Sequence, residues 1–165
     1  MSSFTQAHAF IAYDGRASSV LGKAHWRNIQ TFRYYIGDVG SDEWVDVLAG
    51  NLSDGASVPF PVTAFIPAWG SYSQNVLLHD HLCNTYEKTV RINGVETKVN
   101  IARAEIDAIF HESMCVSNVE KWRRDLIMAG INTYRVVTRP KRPKYDAMRV
   151  YLEKSFNPAD FKITA

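Results

Sequence analysis

The sequence predicts an α+β fold, with a small antiparallel sheet and loops in the N-terminal half packed on a helix-weighted C-terminal half that carries an inserted β-hairpin. Three observations point there. From Ala9 to Pro67 the chain is rich in Gly, Ser, Asp and aromatics with short β-prone runs; after Pro67 apolar residues recur at helical spacing; and Asn93-Gly94 sits between two alternating runs. The 165 residues suit a single domain spanning 1–165, and 46% hydrophobic with 22% charged residues matches globular usage. Collagenous, low-complexity and wholly disordered chains are thereby excluded.

Each element follows from local chemistry. Phe32-Arg-Tyr-Tyr-Ile36 and Glu43-Trp-Val-Asp-Val-Leu48 are β-prone, and the turn-rich Gly37–Asp42 stretch between them fits a hairpin. Gly50–Ser57 is loop chemistry, and Val58-Pro59-Phe60-Pro61 is extended because each proline biases its predecessor away from the α region. Ser71 or Ser73 caps a helix through Gln74–Tyr86. Asn93-Gly94 then closes a hairpin over Thr89–Val99, since that dipeptide readily adopts the two left-handed positions of a tight turn. A second helix is expected from Ile101 to Met114, and a third from near Asn118 to just before Gly130. Tyr134–Thr138 reads as a short strand, 139–144 as an exposed basic connector, and Asp146–Phe156 as a last helix.

Charge and targeting narrow the function classes. A net charge of +2 does not announce a nucleic-acid binder, and no sequence-specific nucleic acid is expected. Positive charge does gather in the last third, at Arg123, Arg124, Arg135, Arg139, Lys141, Arg142 and Lys144. It reads as a solvated face or as a surface for the phosphate groups of nucleic acid or of anionic lipid. The N-terminus lacks a basic region followed by an apolar run, and no stretch approaches the ~20 apolar residues of a membrane span. Synthesis as a soluble cytoplasmic chain is expected.

Chemistry concentrates in the middle. Residues three or four apart share a helix face, so His79 aligns with Val76, Cys83 and Tyr86, and Asp107 with Arg103, Phe110, His111 and Met114. The intervening hairpin lets the two helices pack antiparallel with His79 opposite Asp107. A histidine held by a carboxylate has a fixed tautomer and suits a general base that activates water. The same pair also serves as a buried hydrogen-bonded brace. Asp80 points about 100° away from His79, and with Asp54 and Gly55 on a nearby loop it offers oxygen ligands of the kind calcium prefers. Asp54-Gly55 reads equally as a turn. His79 with Cys83, and His111 with Cys115, are two pairs four apart that would form a His2Cys2 set for zinc if they faced each other. A Cys83–Cys115 disulfide and plain apolar packing are the other two readings.

Four segments occur in order over about 45–114: Asp54-Gly-Ala-Ser-Val-Pro59, Pro67-x-x-Gly70-x-Tyr72, Leu78-His-Asp-His-Leu82 and Arg103-x-x-x-Asp107-x-x-Phe110-x-x-x-Met114. Together they resemble an uncharacterised family of small bacteriophage and prophage proteins. The chain departs from that pattern at Cys83, where Tyr is usual, and at Gly55, where an apolar residue is commoner. The resemblance implies a phage setting and no particular activity. The His-Asp helix followed by an Asp-x-x-Phe helix is also similar to the paired active-site helices of secreted phospholipases A2. That similarity implies His79 as general base, Asp80 as calcium ligand and Asp107 as the carboxylate that orients His79. Cys83 again replaces a Tyr, and the disulfide framework of those enzymes is missing.

Three functions are expected from these readings. The first is hydrolysis of an ester, lipid esters included, at the host envelope. The second is a non-catalytic virion or tail-associated structural or assembly protein. The third is an early phage protein that binds a host factor. Partners are other phage proteins or that host factor, an oligomer is open, and the protein is synthesised in the host cytoplasm, with incorporation in the virion open.

Overall fold

The computed structural model describes residues 3–55, 70, 72–138 and 146–161. Among them the chain forms β1 (Ile11–Tyr13), α1 (Gly15–Leu21), β2 (Trp26–Asn28), β3 (Phe32–Tyr35), β4 (Glu43–Val47), β5 (Leu52–Ser53) and α2 (Ser73–Thr85). There follow β6 (Glu87–Ile92), β7 (Val95–Asn100), α3 (Arg103–Val116), α4 (Lys121–Thr138), α5 (Ala147–Lys154) and a 3-10 turn at Pro158–Phe161. The strands make two small antiparallel sheets, ordered β1-β2-β5 and β3-β4-β6-β7, so the architecture is α+β as expected.

The β3–β4 hairpin pairs Phe32 with Val47 and Tyr34 with Val45, which puts those four side chains on the inward face. There they meet Leu77, Leu78 and Leu82 of α2 and Ile106 and Ile109 of α3 in the largest core cluster. Each such side chain contributes roughly 1.5–3 kcal/mol by leaving water. The outward face carries Arg33, which pairs with Asp46 at 2.7 Å and lies 4.5 Å above the Trp44 ring. A second cluster, built on Tyr72, Val76, Phe110, Met114 and Ile127, joins α2 and α3 to α4. Between the two clusters Asn75 bridges the helices, its Nδ2 donating to Ser113 Oγ at 3.0 Å and Ser117 Oγ at 3.1 Å.

Both expected hairpins form, and the expected second and last helices form within two residues of their bounds. The third helix differs. It begins at Lys121, because Asn118 takes φ +52 and ends α3 instead of capping α4. Asparagine tolerates this left-handed conformation better than most residues. The helix then runs through buried Gly130 to Thr138, so Tyr134–Thr138 is helical and not a strand. The β-branched run is accommodated because Thr133 and Thr138 donate their hydroxyls to carbonyls four residues back, at 2.9 and 2.8 Å. α1, β1, β2 and β5 were not expected from the sequence; each is short, and α1 reads as Ser- and Gly-rich loop. Asp14 caps α1 by accepting from Ala17 N at 2.8 Å. Among the described residues no helix is long and apolar enough to cross a membrane. The connector at 139–144 and the whole 56–67 stretch lie outside the described residues.

Candidate active site

α2 and α3 pack against each other with His79 facing Asp107. His79 Nε2 stands 3.2 Å from Asp107 Oδ1, and its ring stacks on Phe110 at 4.4 Å between centroids. Arg103, one turn before Asp107, donates from Nε to the same carboxylate oxygen at 3.0 Å. Its Nη2 lies 3.4 Å from His79 Nε2. Arg135 of α4 reaches Asp107 Oδ2 at 3.4 Å, so one carboxylate, 4% exposed, holds two cations and an imidazole. Burial would raise the Asp107 acid, but the His79 hydrogen bond and the Arg103 charge outweigh it and hold the carboxyl below its usual range. Burial pulls His79 down, the Asp107 hydrogen bond opposes this, and Arg103 adds to the fall, so the imidazole is neutral near pH 7. With Asp107 accepting the Nε2 proton, Nδ1 carries the lone pair.

Asp80, next along α2, meets the end of β5. Ser53 Oγ donates to Asp80 Oδ2, and Gly55 N donates to Ser53 Oγ at 3.0 Å, with Gly55 turning the chain at φ +80. Burial and the negative charge of Asp54 push the Asp80 acid up to about 7, against the Ser53 hydrogen bond and the charges of Arg149 and Lys23. Asp54 is itself ion-paired with Lys23. His79, Asp80, Asp54, Gly55, Cys83 and Arg103 all line one cleft of about 530 Å³. Its other walls include residues of α4, Lys23 and His25 after α1, and Asp146 and Arg149 at the start of α5.

The structure thus brings together the expected His79, Asp107, Asp80, Asp54 and Gly55. It does not bring together the four residues of the zinc set. Asp107 turns inward, which places His111 and Cys115 progressively further round α3, and both are exposed, with Cys115 Sγ 4.0 Å from His111 Nδ1. Cys83 instead lies 3.6 Å from His79 Nε2, and burial pushes its thiol up to about 12. Both cysteines are free. Among the described residues no three His, Cys, Asp or Glu side chains gather as metal ligands. A calcium ion takes six to eight oxygens. Asp80 and Asp54 fall short of that set, and Lys23 and Arg149 already face them with positive charge. These side chains therefore do not fit calcium.

Sequence reasoning missed Lys23, Ser53 and Arg149. Ser53 directly precedes Asp54 and was within reach of the motif; Lys23 and Arg149 carry no local signal, because their approach depends on how the chain ends fold back. Arg135 appeared only as part of a basic cluster, yet it spends its charge on Asp107. Residues 26–131 match the model of a family described as Protein of unknown function (DUF1353). No curated protein and no solved structure matches the chain.

Proposed function

The chain belongs to a family of unknown function (DUF1353), so its chemistry has to be read from the site, and we propose that it is a hydrolase of an ester or related bond. The observation that carries this reading is His79, held from behind by buried Asp107, opening on the cleft beside Asp80. His79 is the general base: neutral, tautomer-fixed and stacked on Phe110, it takes a proton from water at Nδ1. Asp107 is a positioning residue that stabilises the imidazolium once formed. Asp80, with its acid near 7, donates a proton to the leaving oxygen, a role its environment separates from that of Asp54, which Lys23 holds in an ion pair. Arg103 and Lys23 put positive charge where the attacked carbonyl oxygen becomes negative. The resemblance of the motif order to phage and prophage proteins is what supports a phage setting, with the host envelope as the place of action.

The test is turnover of short-chain aryl esters and of phospholipid vesicles, with and without calcium. A bell-shaped pH profile is expected, rising through an acid limb below 6.5 from His79 and falling near 7 from Asp80. His79→Ala should lower the rate by about 10²–10⁴-fold while the protein melts nearly unchanged. Calcium-dependent turnover would restore the metal reading, and no turnover on any ester would sink the proposal.

A second reading has an observation of its own. Asp107 is 4% exposed and shares its oxygens among three partners, as expected of a brace that holds α2, α3 and α4 together in a non-catalytic virion or tail-associated protein. On that reading His79→Ala costs about 1–3 kcal/mol of stability instead of activity.

A further inference from the structure

Among the described residues β7 is the last strand of its sheet, six residues long and exposed along nearly its whole length. Such an edge leaves a row of backbone donors and acceptors unpaired, and proteins commonly manage it with charged side chains, bulges or a covering loop. Here the strand reads Val95-Glu96-Thr97-Lys98-Val99-Asn100, with one acid and one base flanking a central threonine. We propose that β7 pairs antiparallel with β7 of a second copy, about a twofold axis through Thr97.

The turn fixes which backbone groups are available. Asn93 and Gly94 have φ +52 and +80, so the hairpin closes with a two-residue turn and Ile92 and Val95 are its first hydrogen-bonded pair. Hydrogen-bonded pairs alternate along an antiparallel ladder. Val95, Thr97 and Val99 therefore spend their backbone groups on β6, and those of Glu96, Lys98 and Asn100 point outward. Only registers that oppose outward-pointing residues can form a ladder. Three such twofold registers overlap the strand centre. One sets Glu96 against Glu96, one sets Lys98 against Lys98, and the one centred on Thr97 sets each Glu96 against a Lys98. Opposite charges facing across strands stabilise a pair and like charges destabilise it. Charge thus selects the register the backbone already allows, and it opposes Val95 to Val99 on the other face. The contact is isologous, as a twofold dimer requires.

The paired edge is short, so the dimer lies at the weak end, below the roughly 1,200 Å² of stable interfaces, and forms with rising concentration. Sedimentation across a wide concentration range should show the wild type moving from monomer towards dimer. Glu96→Lys or Lys98→Glu alone should abolish that shift, and the double exchange should restore it. These side chains are exposed, and circular dichroism melts of each variant check that folding is kept. In a Cys115→Ser background, Thr97→Cys should oxidise to a linked dimer far faster than Glu96→Cys or Lys98→Cys. At the axis the two chains form a non-hydrogen-bonded pair with Cα atoms about 4.5 Å apart, within disulfide reach. A wild type that stays monomeric, a double exchange that fails to rescue, or equal cross-linking at all three positions each overturns the proposal.

Discussion

Asp80 and two neighbouring histidines work against one another as pH changes. The folded chain raises the Asp80 acid to about 7 from 3.8, so its contribution to stability is full below 3.8 and is lost as pH rises through 7. His81 runs the other way. Burial, with the charges of Lys98 and Arg149, lowers it to about 4, so its contribution is present above 6.5 and lost as pH falls towards 4. His79 is lowered as well and has the same sign. Asp80→Asn should therefore raise the melting temperature at pH 8 and change little at pH 4, where the native acid is already neutral. Each kcal/mol gained at pH 8 amounts to roughly 2–4 °C in a chain of this size. With the opposing slope removed, the variant should also lose stability more steeply than wild type between pH 6.5 and 4. Melting curves over that range check both. The His79–Asp107 meeting was legible because helical spacing plus one hairpin determines which faces meet. The shifted Asp80 acid was not, since it depends on burial and on the approach of Asp54, set against Ser53, Arg149 and Lys23, which reach it from separate parts of the chain.

Among the elements, the hairpins were the most legible, because turn residues and alternating patterns are local signals. α4 was misjudged where β-branched residues suggested a strand, and its end is helical because no strand pairs with it among the described residues. The approach of α5 to the loop after β4 left a trace only in Gly50. That residue has φ +95, and a Cβ there would stand 2.8 Å from Phe156 Cβ and 2.9 Å from Glu153 O. Both the backbone conformation and the space demand glycine. Gly50→Ala should cost at least about 1–3 kcal/mol from the left-handed backbone alone. Chemical denaturation measures the loss, and proteolysis near α5 should accelerate as the helix lifts.

Across the whole molecule, chain ends are joined through Arg27. Its guanidinium pairs with Asp14 at 2.7 Å and donates to Gly50 O at 2.6 Å and Leu152 O at 3.1 Å, with the Phe156 ring 5.5 Å away. Arg27 and Asp14 are 4% and 8% exposed, so neither charge can fall back on water. Asp14→Ala would strand the guanidinium and remove the cap of α1. A loss of about 3–5 kcal/mol is expected from the unpaired charge, read by urea denaturation. Nothing in the sequence marks this seam, whose partners are separated by more than a hundred residues.

The cleft also divides by origin. Its reactive floor, His79, Asp80 and Arg103, and Asp107 behind it lie within the family-matched residues 26–131. Lys23 and Arg149, the two cations that restrain the Asp80 acid, lie outside them. A relative with different flanks could keep every reactive side chain and still hold Asp80 at another acidity. The operating pH of such a site would then be written in the chain's ends, remote from the residues that perform the reaction.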